Sequence, residues 1–136
     1  MTYLLDTDTC IDLLRGRGDS VARARATPPE ACAVSTVTRY ELMTGAAQCR
    51  RPAQEQHKVE TLCRTLSEMP FTPDAADQAA LIRMGLERQG IRIGPYDLLL
   101  AGQAMAASLV LVTSNTREFS RVPGLKTESW RHADPL

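Results

Sequence analysis

Short apolar runs alternate along the chain with longer segments whose apolar residues recur at helical spacing. The runs at 3–5, 31–34 and 109–112 have the length and composition of buried strands. Polar capping residues precede the helical segments, and glycine or proline follows them. Strands that alternate with helices in this way predict a three-layer α/β/α fold. We expect its central, mainly parallel sheet to contain about four to five short strands.

Six helical segments lie between or beside these strands. Thr7 or Asp8 is the expected cap of the first helix, and Ser35 or Thr36 is the expected cap of the third. The expected helical ranges are 9–15, 20–26, 36–49, a helix opened by Pro52, 74–89 and 95–108. Spacing within the fourth predicts one buried face that includes Val59, Leu62, Cys63, Leu66 and Met69. Residues 69–71 and 125–128 are expected at outer strands, and a single helical turn is expected within 113–123.

Length and charge narrow the class of protein. The 136 residues suit one domain spanning 1–136. The 16 basic and 16 acidic residues cancel, which argues against a nucleic-acid binder that relies on bulk positive charge. Arginines cluster at 15–25, 50–51 and 83–92, where they suit either phosphate contacts or solvated helix faces. Without an apolar run of membrane length or a signal-peptide pattern, we expect a cytoplasmic location.

The four cysteines do not suggest a metal centre. They form no Cys-x-x-Cys pair, and only two histidines accompany them, so a zinc site is not expected. Cys10, Cys32 and Cys63 lie among apolar residues and are expected in the core, without disulfides.

Four acidic residues are the candidate chemistry. Asp6 directly follows the first strand, Glu41 lies in the helix after the second strand, Asp97 opens a long helix, and Glu118 follows the 109–112 strand. Sites in open α/β sheets lie beyond the carboxyl ends of the strands. Each acid also has an ordinary alternative: Asp6 as a helix cap, Asp97 as a helix-dipole partner, and Glu41 and Glu118 as exposed acids.

Clustered carboxylates repel one another, and without compensation one of them takes up a proton. A hard divalent cation supplies that compensation, because Mg²⁺ prefers oxygen ligands. Such an ion also orients and polarises a phosphate and acidifies water, which is the chemistry of a phosphodiester hydrolase.

Four segments together resemble one family. They are LLDTDTCIDLL at 4–14, STVTRYEL at 35–42, IGPYDLLLA at 93–101 and LVTSNTREF at 111–119. In order and spacing they resemble the PIN-domain ribonucleases and, among these, the VapC toxins of bacterial toxin–antitoxin pairs. The resemblance covers nearly the whole chain.

The resemblance implies a role for each motif. Asp6, Glu41, Asp97 and Glu118 would be the metal-binding acids, with Asp6 and Asp97 as direct ligands. The supporting polar residues would be Thr7, Asp8, Thr113 and Asn115, with Thr113 or Ser114 near phosphate or water. Asp8 departs from the family, which usually has Asn at this position. An aspartate there suits either tighter metal binding or repulsion of RNA.

The activity that the resemblance implies is endonucleolytic hydrolysis of structured RNA, with tRNA as the first expectation and Mg²⁺ or Mn²⁺ as the cofactor. The arginine clusters are then the expected backbone contacts. The chain has few aromatic residues (two Phe, one Trp and three Tyr), and this low number argues against a surface on which several bases stack.

The implied partners are a cognate VapB-type antitoxin and a second copy of the chain, assembled as a homodimer within a hetero-oligomer. The antitoxin would place a basic side chain among the four acids. The apolar faces at 59–69 and 75–86 suit either such contacts or the intramolecular core, and we favour the core for most of their residues.

Three alternatives stay open. Asp6-Thr7-Asp8-Thr9 also fits the opening of the haloacid-dehalogenase phosphatases, although only Lys126 and Glu128 remain for that family's later motifs. The second alternative is a non-catalytic PIN-like module that binds RNA or protein. The third is a PIN nuclease outside toxin systems.

Overall fold

A computed structural model describes residues 1–131, which form a parallel sheet between two layers of helices. The strand order is β3-β2-β1-β4-β5, and every neighbouring pair runs parallel. The strands are β1 (Tyr3–Leu5), β2 (Cys32–Ser35), β3 (Ser67–Met69), β4 (Val110–Val112) and β5 (Thr127–Glu128). The predicted α/β/α architecture is therefore confirmed, including its number of strands.

The helices fall close to the predicted ranges. They are α1 (Thr7–Leu14), α2 (Gly18–Arg25), α3 (Thr36–Ala47), α4 (Pro52–Thr65), α5 (Pro73–Arg88), α6 (Pro95–Ala107) and α7 (Thr116–Phe119). A short 3-10 turn, Pro29–Ala31, precedes β2. The single turn of α7 confirms the helical turn expected after β4.

Two local predictions were wrong. The cap of α1 is Asp6 rather than Thr7 or Asp8, because Asp6 has extended backbone geometry and its side chain accepts the Thr9 N–H. Met69 does not continue the buried face of α4. That helix ends at Thr65, and Met69 lies in edge strand β3, where pairing with β2 replaces the helical repeat.

Alternation along the strands divides the core between the two faces of the sheet. Leu4, Ala33 and Leu111 face the layer of α5–α7, where they pack with Leu100 and Phe119. The opposite face packs against α1–α4, and its buried residues include Leu5, Val34, Val112, Cys10, Cys32, Val59 and Cys63. The three cysteines expected in the core are buried and free.

The apolar faces of α4 and α5 belong mostly to the intramolecular core, as we expected. Val59 and Cys63 are buried on α4, and Ala75, Ala79 and Leu86 are buried on α5. On the outer side of α5, in contrast, Leu81 and Met84 are exposed. Within residues 1–131, no helix has the length and apolarity that crossing a bilayer requires.

The strand order places a topological switch point between β1 and β4. From β1 the chain proceeds to β2 and then β3 on one side, whereas β4 and β5 extend the sheet on the other. Ligands of open α/β sheets bind in the crevice at such a point, beyond the carboxyl ends of the strands. Asp6 and Thr113 follow directly after β1 and β4 at this position.

Candidate functional site

Asp6 joins the end of β1 to the start of α1. Its Oδ1 accepts the Thr9 N–H at 2.8 Å, and the Thr9 hydroxyl donates to the Val112 carbonyl at 3.1 Å. The side chain is buried, with 3% of its residue surface exposed. Asp6 therefore caps α1, as one alternative predicted, and the same carboxylate also lies at the switch point.

Glu41 is oriented across two helices. The Thr7 hydroxyl donates to its Oε1 at 2.7 Å and lies 3.2 Å from the hydroxyl of Thr38, which is fully buried. Thr38 precedes Glu41 by three residues, so the two share one face of α3. The first residue of α1 thus ties Glu41 to the end of β1.

Glu118 is oriented within its own loop. The Asn115 side-chain amide donates to Glu118 Oε2 at 2.5 Å, and the Asn115 backbone N–H donates to the hydroxyl of Thr113 at 3.0 Å. Thr113 is fully buried directly after β4. This turn fixes Glu118 at the start of α7, close to the end of the strand.

Asp97 has the clearest electrostatic signature of the four acids. Its pKa is raised to about 6, mainly because burial penalises the charged carboxylate, and then because of nearby negative charge. The charges that raise it belong to Glu118, Asp6, Asp8 and Glu41, in that order of effect. The four sequence-predicted acids are thus brought within electrostatic range of one another, and we call Asp6, Glu41, Asp97 and Glu118 the acidic site.

The pKa of Asp6 is also raised. Burial is the largest cause of the raised pKa; hydrogen bonds from the Thr113 side chain and from Thr9 lower the pKa, and the charge of Asp8 raises it further. Both acids at the switch point therefore have a reduced tendency to ionise, which is the electrostatic cost that a bound cation removes.

The residues present fit a divalent cation by chemistry, although they do not form a closed cage. Within residues 1–131, no three acidic, cysteine or histidine side chains converge tightly enough to enclose an ion. The donors are carboxylate oxygens, which Mg²⁺ and Mn²⁺ prefer, and they carry uncompensated negative charge. Mg²⁺ is normally held by one or two carboxylates and several waters, so a closed cage is not required.

Asp8 lies exposed on α1 beside the acidic site, where its charge raises the pKa values of Asp6 and Asp97. One turn further along α1, Asp12 is buried and has a structural partner. Arg131 donates to both of its carboxylate oxygens, at 3.0 and 3.2 Å, and so attaches the end of the described chain to α1.

Two tyrosines flank the acidic site. Tyr40 directly precedes Glu41 on α3, and Tyr96 directly precedes Asp97 on α6. Their ring centroids lie 5.6 Å apart with an interplanar angle of 53°, and the Tyr96 hydroxyl donates to the Tyr40 hydroxyl at 3.3 Å. We call Tyr40 and Tyr96 the tyrosine pair.

The sequence interpretation assigned no site role to Thr9, Thr38 or the tyrosine pair. Thr38 carried a usable signal, since it lies three residues before Glu41 on a helix. The pairing of Tyr40 with Tyr96 carried none, because the two residues are 56 positions apart.

The arginine clusters are only partly free for phosphate contacts. Arg23 donates to Glu128 at 2.8 Å, and Arg83 donates to Glu87 at 2.8 Å on the surface of α5. Besides Arg83, the exposed arginines of these clusters are Arg15, Arg17, Arg25, Arg50, Arg51, Arg88 and Arg92.

Comparison with known proteins gives a consistent result. Residues 3–125 match the model of the PIN domain family. The tRNA(fMet)-specific endonuclease VapC of Shigella flexneri is 35% identical over 130 residues, which cover 96% of this chain and 98% of the relative. Ribonuclease VapC2 of Rickettsia felis is 31% identical over 132 residues, with the same coverage.

The fold also matches a solved structure closely. The crystal structure of DNA-bound VapBC from Salmonella typhimurium superimposes with a TM-score of 0.90 and 33% identity, covering 96% of this chain and 98% of that chain.

Proposed function

The chain belongs to the PIN-domain family and, within it, to the VapC ribonucleases, and we propose that it is the toxin of a type II toxin–antitoxin pair. Its activity is Mg²⁺- or Mn²⁺-dependent endonucleolytic hydrolysis of structured RNA. The acidic site carries this proposal, because Asp6 lies at the β1/β4 switch point with Glu41 held by Thr7 and Glu118 held by Asn115, and the raised pKa of Asp97 agrees with this arrangement.

The four acids divide into two pairs in the proposed reaction. Asp6 and Asp97 would hold the cation directly, as the family resemblance implies, and Asp6 is the buried member of the set while Asp97, Glu41 and Glu118 are half-buried. Glu41, oriented by Thr7, and Glu118, oriented by Asn115, would bind through water or position the attacking water. When bound, the cation neutralises charge on the phosphate and acidifies water.

The proposed substrate is tRNA. Support comes from the Shigella flexneri relative, whose name specifies a tRNA endonuclease and which this chain matches over nearly its full length. Structured RNA of this kind is recognised by shape and by unstacked loop bases rather than through the deep groove of its helices.

The proposed partner is a VapB-type antitoxin, which the VapBC composition of the Salmonella typhimurium complex supports. An antitoxin arginine or lysine would take the place of the cation among the four acids. A groove of about 560 Å³ between α5 and α6, lined by residues such as Leu86, Ile93 and Leu98, supplies apolar area for a protein partner or a second copy of the chain.

Of the alternatives, the haloacid-dehalogenase phosphatase has no support from the family assignment. Glu128, one of the two residues left for that family's later motifs, already accepts hydrogen bonds from Arg23 and Trp130. The experiments below distinguish the proposed toxin from a non-catalytic module and from a PIN nuclease outside toxin systems.

The test is cleavage of a total tRNA pool by purified protein freed of antitoxin, with Mg²⁺, with Mn²⁺ and with EDTA. Asp97→Asn removes the proposed ligand with almost no change in shape. Asp77→Asn is the matched control, because Asp77 is an exposed acid on α5 outside the acidic site.

We expect metal-dependent cuts at discrete positions, retained by Asp77→Asn and reduced by about a hundredfold or more in Asp97→Asn. Metal-independent binding without cleavage, on tRNA and then ribosomal RNA, would instead identify a non-catalytic module. Growth arrest on expression, relieved by the product of an adjacent antitoxin gene, separates a toxin from an RNA-maturation nuclease.

A further inference from the structure

We propose that the tyrosine pair is a nucleobase-binding subsite on which a base next to the cleaved phosphodiester stacks. The proposal rests on the ribonuclease function above and deepens it by assigning substrate positioning to two residues outside the acidic site.

The pair occupies the right place. Tyr40 and Tyr96 are the immediate chain neighbours of Glu41 and Asp97, on two different helices. Successive residues of a helix point about 100° apart. Each ring therefore lies beside, rather than among, the carboxylates that face the phosphate. A base stacked there would be adjacent in the RNA chain to a phosphate at the acidic site.

The pair is also exposed in a way that the other aromatic side chains are not. Tyr40 is 56% exposed and Tyr96 is 39% exposed, whereas Phe119 and Trp130 are buried. The third tyrosine, Tyr3, packs edge-on against Trp130 with ring centroids 5.5 Å apart. Although the chain has few aromatic residues, its exposed aromatic surface is concentrated at the tyrosine pair.

Both rings are held in position before any ligand binds. The hydroxyl–hydroxyl contact joins them, and α3 is fixed in turn by Arg39, which donates to Glu60 and Glu68. A preorganised aromatic surface loses little conformational freedom on binding, so more of the stacking energy appears as affinity.

Stacking also provides a way to bind RNA that does not depend on positive charge. The chain has no net positive charge, and its site is acidic, so attraction to phosphate is weak until a cation is present. An aromatic face binds a base without regard to charge, and every base offers a π-face.

The first test compares KM and kcat on the tRNA pool for three proteins. A Tyr40→Phe/Tyr96→Phe double variant keeps the rings, and a Tyr40→Ala/Tyr96→Ala double variant removes them. Leu81→Ala is the matched control, because Leu81 is a similarly exposed apolar residue, on α5.

We expect the Ala pair to raise KM by about tenfold to a hundredfold, which lies within the range measured when alanine replaces an aromatic residue that stacks on a base. The Phe pair keeps both rings and loses only the hydroxyl contact between them, so its KM should stay within about fivefold of the wild type. Similar cleavage by the wild type and the Ala pair would overturn the subsite. No metal-dependent cleavage by the wild type would instead overturn the ribonuclease function itself.

The second test keeps the wild-type protein and changes the RNA. After the cut is mapped, synthetic tRNAs carry a single abasic site at each position around it. One abasic position should weaken wild-type cleavage about tenfold or more and leave the Ala pair unaffected, because that variant has already lost the stack. Equal losses in both proteins at every position would contradict the proposal. Each protein is compared with itself on intact and abasic RNA, so a smaller active fraction of the Ala pair cancels from the comparison.

Two further readouts separate a base from a protein ligand. The ratio of KM between the Ala pair and the wild type should stay constant from roughly 50 to 200 mM salt, because stacking releases no counterions. Molecular mass in solution should be the same for both. A change in mass that accounts for the loss of cleavage would show that the tyrosine pair contacts a second copy of the chain, and would overturn the subsite.

Discussion

The hydroxyl of Thr7 donates to Oε1 of Glu41 at 2.7 Å, and this contact joins the beginning of α1 to the middle of α3. Thr7 also directly follows Asp6, the residue that ends β1. Two of the four acids are thereby held in a fixed relation by one short side chain.

Thr7→Val should lower cleavage with little loss of fold. The variant keeps the shape of the side chain but leaves Glu41 without its donor, which costs about 1–2 kcal/mol in orientation, or roughly five- to thirtyfold in kcat/KM. Thr7→Ser, which retains the hydroxyl, should stay within about threefold of the wild type. Equal activity of the Val and Ser variants would show that the contact does not position Glu41.

The cap and the site function of Asp6 can be separated by two substitutions. Asp6→Asn retains an oxygen that accepts the Thr9 N–H and should remain stably folded while cleavage is lost. Asp6→Ala should lose cleavage and also about 1 kcal/mol of unfolding free energy, since α1 then starts without a cap. Denaturant unfolding measures this difference, and identical stabilities would show that the cap contributes nothing.

The stability of the metal-free protein should depend on the pH through Asp97. Its pKa is about 6 in the folded protein against an ordinary value of 3.8, so the folded state binds more protons between these pH values. The free energy of unfolding therefore falls as the pH rises through this window. Above about pH 6 the folded protein bears the full destabilisation from a buried, charged Asp97.

Asp97→Asn removes that cost. The variant should exceed the wild type by roughly 1–2 kcal/mol near pH 7.5, allowing for solvent screening, and the gap should close near pH 4. Asp77→Asn, which changes an exposed acid on α5, should show no such pH-dependent gain. A constant difference between Asp97→Asn and the wild type across this range would contradict the assigned pKa.

Gly102→Ala should loosen the contact between α5 and α6. An added Cβ would lie 2.6 Å from the Ala79 Cβ and 2.7 Å from the Ala75 carbonyl oxygen, so the two helices would have to separate. We expect a loss of about 1–3 kcal/mol in thermal or denaturant unfolding.

Gly85→Ala is the control, because nothing lies within 4 Å of its added Cβ on α5. Its higher helix propensity should stabilise the protein by about 0.5–1 kcal/mol. The same sign for both glycine substitutions would argue against the close packing at Gly102.

Much of the fold could be predicted from local pattern. Run length and capping residues predicted α3, α5 and α6 within a few residues of their ends, because helix termini depend on side chains close in the chain. The same local signals failed where two structures competed for one segment. Met69 fits the helical spacing of α4, yet strand pairing with β2 decides its conformation.

The amino-acid sequence by itself determined that the acids exist and that three of them follow strands or lie in the helices those strands feed. Only the tertiary structure decided that Asp97 feels the charges of Asp6, Glu41 and Glu118, and that Tyr40 meets Tyr96. These relations join residues 21 to 91 positions apart. Contacts at such separations depend on the order of strands in the sheet, and the spacing of residues along the chain carries no record of distance across the fold.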